Sequence, residues 1–272
     1  PKGDLPVEEA REVIGGLAPL SPSFVSVTYS AGGSGNSSRT IDVAKMAQDE
    51  YGLNMMAHLT CMNADRAGID SVLASMKAAG IENVLALRGD YIEGEQLVGE
   101  FNHASDLVSY IRSVKPDFKV FGACYPEGHY QADSLDQDIE NLKIKVDTGV
   151  THLISQLFYD NEDFYRFLDK ARAAGITVPI EAGIMPVRGA KSVRRMAERN
   201  ASRIPDKLNT LLNKWEDDIQ SLRTAGILYA SEQIADLVAH GVDGVHLYSM
   251  NHPATTRRIW RNVEPLFLGT QG

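Results

Sequence analysis

A cation, a glycine and a carboxylate stand together at Arg88-Gly89-Asp90, directly after the apolar run Asn83–Leu87. A run of that length without polar alternation suits a strand buried on both faces. The glycine can take φ > 0 and leaves its backbone open to a planar or phosphorylated group, while the guanidinium supplies charge and a stacking surface. An apolar run followed by a polar or aromatic tip recurs along the chain: Thr28-Tyr29, His58 with Thr60, Tyr125-Pro126-Glu127 with His129, Gln156 with Tyr159, Met185-Pro186, and Tyr248 with Asn251. Any one of these by itself reads better as a hydrogen-bonded residue near a core; so many in succession point to a shared site. Asp138, Asn141 and Lys145 add a further group, spaced i, i+3, i+7 on one helical face. A solvated face explains that spacing as well when it is taken alone. With Tyr29, Tyr125 and His58 able to border a ring system, the set suits a large, flat, anionic cofactor better than a small sugar phosphate. No GxGxxG follows a strand, so a Rossmann-type dinucleotide site has no support.

The elements that must position these groups alternate. Strands are predicted over Phe24–Tyr29, Asn54–Cys61, Asn83–Leu87, Lys119–Tyr125, His152–Phe158, Val178–Met185 and Gly244–Met250. Helices are predicted over Pro6–Leu17, up to Tyr51, Arg66–Ala79, Ala104–Val114, Ser134–Asp147, Asn161–Ala174 and Ala190–Arg199. Two more, Pro205–Trp215 and Asp217–His240, follow with no strand between them, and a last covers Thr255–Asn262. Ser30–Ser38, rich in Gly and Ser, and the acidic Glu93–Glu100 read as loops. Strict alternation implies parallel strands joined by right-handed crossovers. The expected fold is a (β/α)8 TIM barrel forming a single domain over residues 1–272, with the polar tips at the C-terminal face of the strands. The strand count is one short of eight, and the first strand is expected before Pro1.

Composition narrows the function classes. The chain has 272 residues, is 43% hydrophobic and 23% charged, and carries a formal charge of −9. That balance suits a globular protein with a sizeable core and argues against nucleic acid as a partner. No apolar run is long enough to span a membrane, and a cytoplasmic location is expected. Two cysteines, Cys61 and Cys124, lie in apolar runs and are expected as buried thiols, with no metal site.

The motifs VTYSA (27–31), HLTC (58–61), LALRGD (85–90), YPEGH (125–129), NLKIKVDTG (141–149), SQLFYD (155–160), GIMPV (183–187) and LYSMN (247–251) resemble, in order, those of the FAD-dependent methylenetetrahydrofolate reductases. The resemblance implies a barrel with FAD at its C-terminal face, reducing 5,10-methylenetetrahydrofolate to 5-methyltetrahydrofolate. Hydride passes from the donor to flavin N5 and then to the folate one-carbon unit. It implies FAD contacts at Thr28, Tyr29, Ala31, His58, Arg88, Gly89, Asp90, Ala104, Tyr125, His129, Asp138, Asn141 and Lys145. Asp90 and Gln156 match the catalytic and folate-binding positions. The implied donor is NAD(P)H, or a redox protein such as a ferredoxin or an iron–sulfur partner subunit, and the implied assembly is a homo-oligomer.

Departures from the pattern are expected to matter. The family's general acid for folate N10 is a glutamate in a motif resembling EFFPPK, and Pro1-Lys2 looks like that motif's tail. Met196 stands where some relatives have phenylalanine, His252 where they have arginine, and Ile144 where they have a basic residue. Two other readings stay open on the residues alone. One is a cofactor-free lyase or aldolase using Lys145 as a Schiff base; the other is a flavoprotein subunit without turnover of its own.

Overall fold

The computed structural model describes residues 5–28, 37–89 and 99–268. The expected loops Ser30–Ser38 and Glu93–Glu100 lie outside these residues except for their last two positions. The described chain alternates α1 (Val7–Leu17), β1 (Val25–Val27), α2 (Ser37–Tyr51), β2 (Met55–Thr60), α3 (Arg66–Ala78), β3 (Asn83–Leu87), α4 (Ala104–Val114), β4 (Lys119–Cys124) and α5 (Leu135–Asp147). It continues with β5 (His152–Ser155), α6 (Asn161–Ala173), β6 (Ile180–Ile184), α7 (Ala190–Arg199), α8 (Asp206–Lys214), α9 (Ile219–Ala239), β7 (Gly244–Leu247) and α10 (Pro253–Leu268). Strand order in the sheet follows the chain, β1 through β7, and the paired strands are parallel. This is the order of a (β/α)8 barrel with one strand missing, as the alternation implied.

The chain divides into two compact units. The first holds Pro1–Ala123, Ile144–His152 and Met250–Pro253. Its strands pair in register Val25↔Met55, His58↔Leu85 and Leu85↔Phe121. Apolar residues on both faces of β2 and β3 are buried, which is why those runs do not alternate. Helices cover the sheet through apolar stripes: Ala10, Ile14 and Leu17 from α1, and Ile69, Leu73 and Met76 from α3. Asp65 starts α3 by accepting the Gly68 N–H at 2.7 Å, a cap worth about 1 kcal/mol.

The second unit holds Cys124–Lys143, Leu153–Ser249 and Ala254–Gly272. Here β6 pairs with β5 (Leu153↔Ile180) and with β7 (Ala182↔Val245). A cluster containing Leu157, Tyr159, Val187, Leu208, Leu212 and Tyr229 packs the strand exits against α7, α8 and α9. Tyr229 Oη, buried there, donates to the Tyr159 carbonyl at 2.5 Å.

Some boundaries differ from expectation. β5 ends at Ser155 rather than Phe158. Gln156 Oε1 accepts the N–H of Leu157 at 2.9 Å, closing a local turn, and Leu157–Tyr159 then enter the helix-packed core. β7 stops at Leu247, and the chain soon takes positive φ at Met250 and Asn251, 49° and 59°. α10 runs on to Leu268 through Pro265, with Trp260 and Phe267 in contact across that proline at 5.4 Å. Cys61 and Cys124 are buried and not joined in a disulfide. No described helix is long and apolar enough to cross a membrane.

Candidate functional site at the strand ends

In the first unit, the parallel register brings the ends of β1, β2 and β3 to one side. Thr28 follows β1, half-buried, and its carbonyl lies 3.4 Å from the donating Thr40 hydroxyl. His58 sits within β2, half-buried, opposite Leu85. Arg88 and Gly89 leave β3. The Arg88 carbonyl accepts the Met62 N–H at 2.8 Å, and the Leu87 carbonyl accepts that of Cys61 at 3.1 Å, so the two exits are stitched together. Gly89 has φ +99°, and a Cβ there would meet Met62 Cβ at 3.3 Å and Thr60 Cβ at 3.4 Å. That position needs a glycine, and it leaves the turn's backbone uncovered by any side chain of its own. Burial pushes the Cys61 thiol up to about 11, which suits a packing role.

Ala104 opens α4, fixed by the Asp106 carboxylate, which accepts the backbone N–H groups of Asn102 and His103 at 2.9 Å each. Lys145 reaches from α5 to donate to the Ala123 carbonyl at the end of β4. Its ammonium is thereby engaged as a donor, which disfavours the Schiff-base reading. Tyr29, Ala31 and Asp90 lie outside the described residues.

In the second unit, Tyr125-Pro126-Glu127-Gly128 forms a turn after β4, with the Gly128 N–H donating to the Tyr125 carbonyl at 3.0 Å and φ +88° at the glycine. Tyr125 and His129 meet edge to face at 4.7 Å. The His129 N–H donates to Asp138 Oδ2 at 3.1 Å, tying the loop to α5. His129 Nδ1 accepts the Gln131 N–H at 3.2 Å, which puts the neutral ring's proton on Nε2. Asn141 is exposed on α5. Gln156 donates through Nε2 to Asn200 Oδ1 at 3.2 Å while its Oε1 accepts the Leu157 N–H. The amide is thus oriented, with one N–H and one lone pair left over.

Sequence reasoning passed over several groups here. Glu127 stood among the strand tips without a role. Its Oε1 accepts the Arg203 N–H at 2.6 Å, whereas its buried Oε2 has no partner among the described residues. Burial outweighs that hydrogen bond and holds its carboxyl above the usual range. Asn200, which aims Gln156, gave no signal beyond its place at the end of α7. Glu181 interrupts an apolar strand and lies 3.8 Å from His246. A lone carboxylate inside a buried run was the available clue.

The sequence profile of the family described as Methylenetetrahydrofolate reductase matches residues 1–264. The chain belongs to this family. It is 37% identical over 277 residues to methylenetetrahydrofolate reductase (NADH) 1 of Arabidopsis thaliana, covering 97% of this chain and 47% of that protein. Methylenetetrahydrofolate reductase 1 of Schizosaccharomyces pombe is 38% identical over 245 residues, 88% of this chain and 40% of that protein. The 5,10-methylenetetrahydrofolate reductase of Escherichia coli K12 is 37% identical over 235 residues, 86% and 78% of the two chains. The chain therefore spans about half the length of the plant and yeast relatives it matches, and more of the bacterial one. A Clostridium thermocellum protein that binds two copies of 5-methyl-5,6,7,8-tetrahydrofolic acid superposes with TM-score 0.64 at 14% identity, over 98% of this chain and 93% of that one. At that identity the likeness is one of fold.

Of the departures from the methylenetetrahydrofolate reductase pattern, Met196 packs half-buried against the core cluster of α7 and α8. Ile144 is exposed on α5, at 59%, and His252 is half-buried.

Proposed function

We propose that this protein is an FAD-dependent methylenetetrahydrofolate reductase. It converts 5,10-methylenetetrahydrofolate to 5-methyltetrahydrofolate with electrons from a reduced nicotinamide cofactor or a redox protein. The observation that carries the reading is the family match over residues 1–264, with relatives at 37–38% identity named for this reaction. The Arabidopsis relative is named for NADH, which favours a nicotinamide donor.

The residues fit the flavin. Arg88 supplies a cation at a strand end, and the Gly89 backbone at φ +99° admits close approach of a flat ring. The other positions assigned to FAD are those the motifs imply. When bound, FAD accepts and passes on a hydride. Gln156, held by Asn200 and the Leu157 N–H, keeps a donor and an acceptor for the pterin edge. His129 accepts through Nδ1, so the neutral ring's donor is Nε2–H. By the motif match alone, the Asp90 carboxylate disfavours an anionic reduced flavin. The single-domain organisation, homo-oligomeric assembly and cytoplasmic location belong to the same proposal.

The purified protein should be yellow, and anaerobic mixing with 5-methyltetrahydrofolate should bleach its visible flavin absorbance. A colourless protein that takes up no added FAD overturns the reading. A yellow protein that neither methyltetrahydrofolate nor reduced nicotinamide bleaches leaves only the reading of a subunit without turnover.

A further inference from the structure

After β6 the chain runs Met185-Pro186-Val187-Arg188-Gly189 into α7. α9 lies directly on this connection: a Cβ on Gly226 would come within 2.2 Å of the Val187 carbonyl oxygen and 2.8 Å of Val187 Cβ. Backbone against backbone at that range admits only glycine. The contact holds Arg188, the next residue, beside α9. Arg223 stands three residues before Gly226, hence on the same helical face. The two guanidinium groups are electrostatic neighbours: burial first, then the charge of Arg223, holds Arg188 below the usual arginine range.

No carboxylate answers them among the described contacts, and Arg188 Nε is buried without a hydrogen-bond partner. Three other cations of this region have partners. Arg194 donates to Asn209 and Asn213, Arg203 to Asp160 and Asp163, and Lys207 to Glu232. The first turn of α7 has no acidic residue and no side-chain cap. The capping acid of α9, Asp218, is engaged by the Ser221 N–H at 3.0 Å. A desolvated donor beside a like charge, at an uncapped helix start, is completed by an anion.

We propose that Arg188 and Arg223 form a clamp for the anionic end of a reactant, a carboxylate or phosphate group taken in forked hydrogen bonds. The inference rests on the folate-reductase reading for its occupant. Folate ends in glutamate carboxylates and a nicotinamide dinucleotide carries phosphates, and both present planar or tetrahedral oxygens to guanidinium. Arg223 is exposed and available to such a ligand; Arg188 is the half-buried partner, its Nε buried, that fixes the register.

The test uses the full chain and its R188Q, R223Q and double variants. Inorganic pyrophosphate and tricarballylate serve as bare anions in thermal shift. Methyltetrahydrofolate with one or three glutamates, and NADH against NADPH, serve as reactants in equilibrium binding. The wild type should be stabilised by at least one bare anion and the double variant by neither. Binding of one reactant should weaken about tenfold per arginine, the size of one lost charge-assisted hydrogen bond. Loss confined to the folate arm, growing with glutamate number, identifies the carboxylate source; loss confined to the dinucleotide arm identifies the phosphate source. KM for that reactant should rise with kcat unchanged. Equal affinities in wild type and double variant for every probe overturn the clamp. A chain that binds neither reactant refutes the folate-reductase reading instead, and the bare-anion arms still decide the clamp. Should the double variant fail to fold, R223Q, altered only at an exposed position, carries the same comparison.

Discussion

Glu181 and His246 are the residues whose chemistry is least expected from their neighbours. Glu181 crosses the sheet over Gly244, where a Cβ would lie 3.1 Å from its Cγ. It approaches His246 Nδ1 at 3.8 Å, with the two side chains 16% and 14% exposed. Burial pushes the Glu181 carboxyl up to about 7 and the His246 imidazole down to about 4, so both neutral forms are favoured in the fold. The consequences for stability have opposite signs. Stability from Glu181 is full below its ordinary value of 4.5 and is lost as pH rises through about 7. Stability from His246 is full above 6.5 and is lost as pH falls through about 4. Replacing Glu181 by Gln removes only the first dependence. E181Q and wild type should have similar urea midpoints near pH 4, and above pH 7 the variant should be more stable by roughly 3 kcal/mol. A difference independent of pH would mean that Glu181 is not held protonated. A second residue-scale expectation concerns Asp90. D90N should raise the flavin midpoint potential in spectroelectrochemistry, because a fixed negative charge opposes anionic reduced flavin; an unchanged potential removes that electrostatic role.

At the scale of elements, α9 is positioned by the absence of a side chain as well as by its buried apolar residues, Leu222, Ile227, Ile234 and Leu237 among them. Gly226 lets the helix settle on Val187, and the approach fixes both the core cluster and Arg188. G226A must push helix and connection apart, since the obstructing atoms are backbone. The expected cost is about 1–3 kcal/mol in denaturant unfolding, and an unchanged midpoint would show that the contact yields freely. Such an approach cannot be read from sequence, where Gly226 looks like a weak spot in a helix. What sequence does carry is local. Helix starts were legible where a capping acid precedes them, as at Asp65 and Asp160. The end of β5 was not, because the run His152–Phe158 holds no glycine or proline to break it and only the turn made by Gln156 ends the strand. Proline misleads at the other end, where α10 accommodates Pro265 and continues. The candidate residues divide along the same line. The candidate tips, Arg88-Gly89 in the first unit and Tyr125, His129 and Gln156 in the second, were picked out by strand–turn patterning. Asn200, Arg188 and Glu181 act through partners distant in sequence and stayed invisible.

For the whole molecule, alternation of strand and helix dictated parallel pairing and sequential order, and the sheet follows β1 to β7. A sheet whose order runs from β1 to β7 has those two strands at its ends, and the described contacts pair β7 with β6 alone. Burial records the difference: the apolar residues of β2 and β3 are almost all buried, whereas all four residues of β7 are half-buried. Backbone N–H groups facing an unpaired side exchange with solvent through small local openings, while those between two ladders require larger cooperative ones. In native-state hydrogen exchange, peptides covering Met55–Thr60 and Asn83–Leu87 should be protected close to the global limit. In the 272-residue chain by itself, peptides covering Gly244–Leu247 should exchange at least about tenfold faster, a gap of about 1.4 kcal/mol in opening free energy. Equal protection would mean that β7 is covered on its second edge in solution, by a further strand or by another copy of the chain. Repeating the measurement across a range of protein concentrations separates those two, because only cover by another copy is lost on dilution.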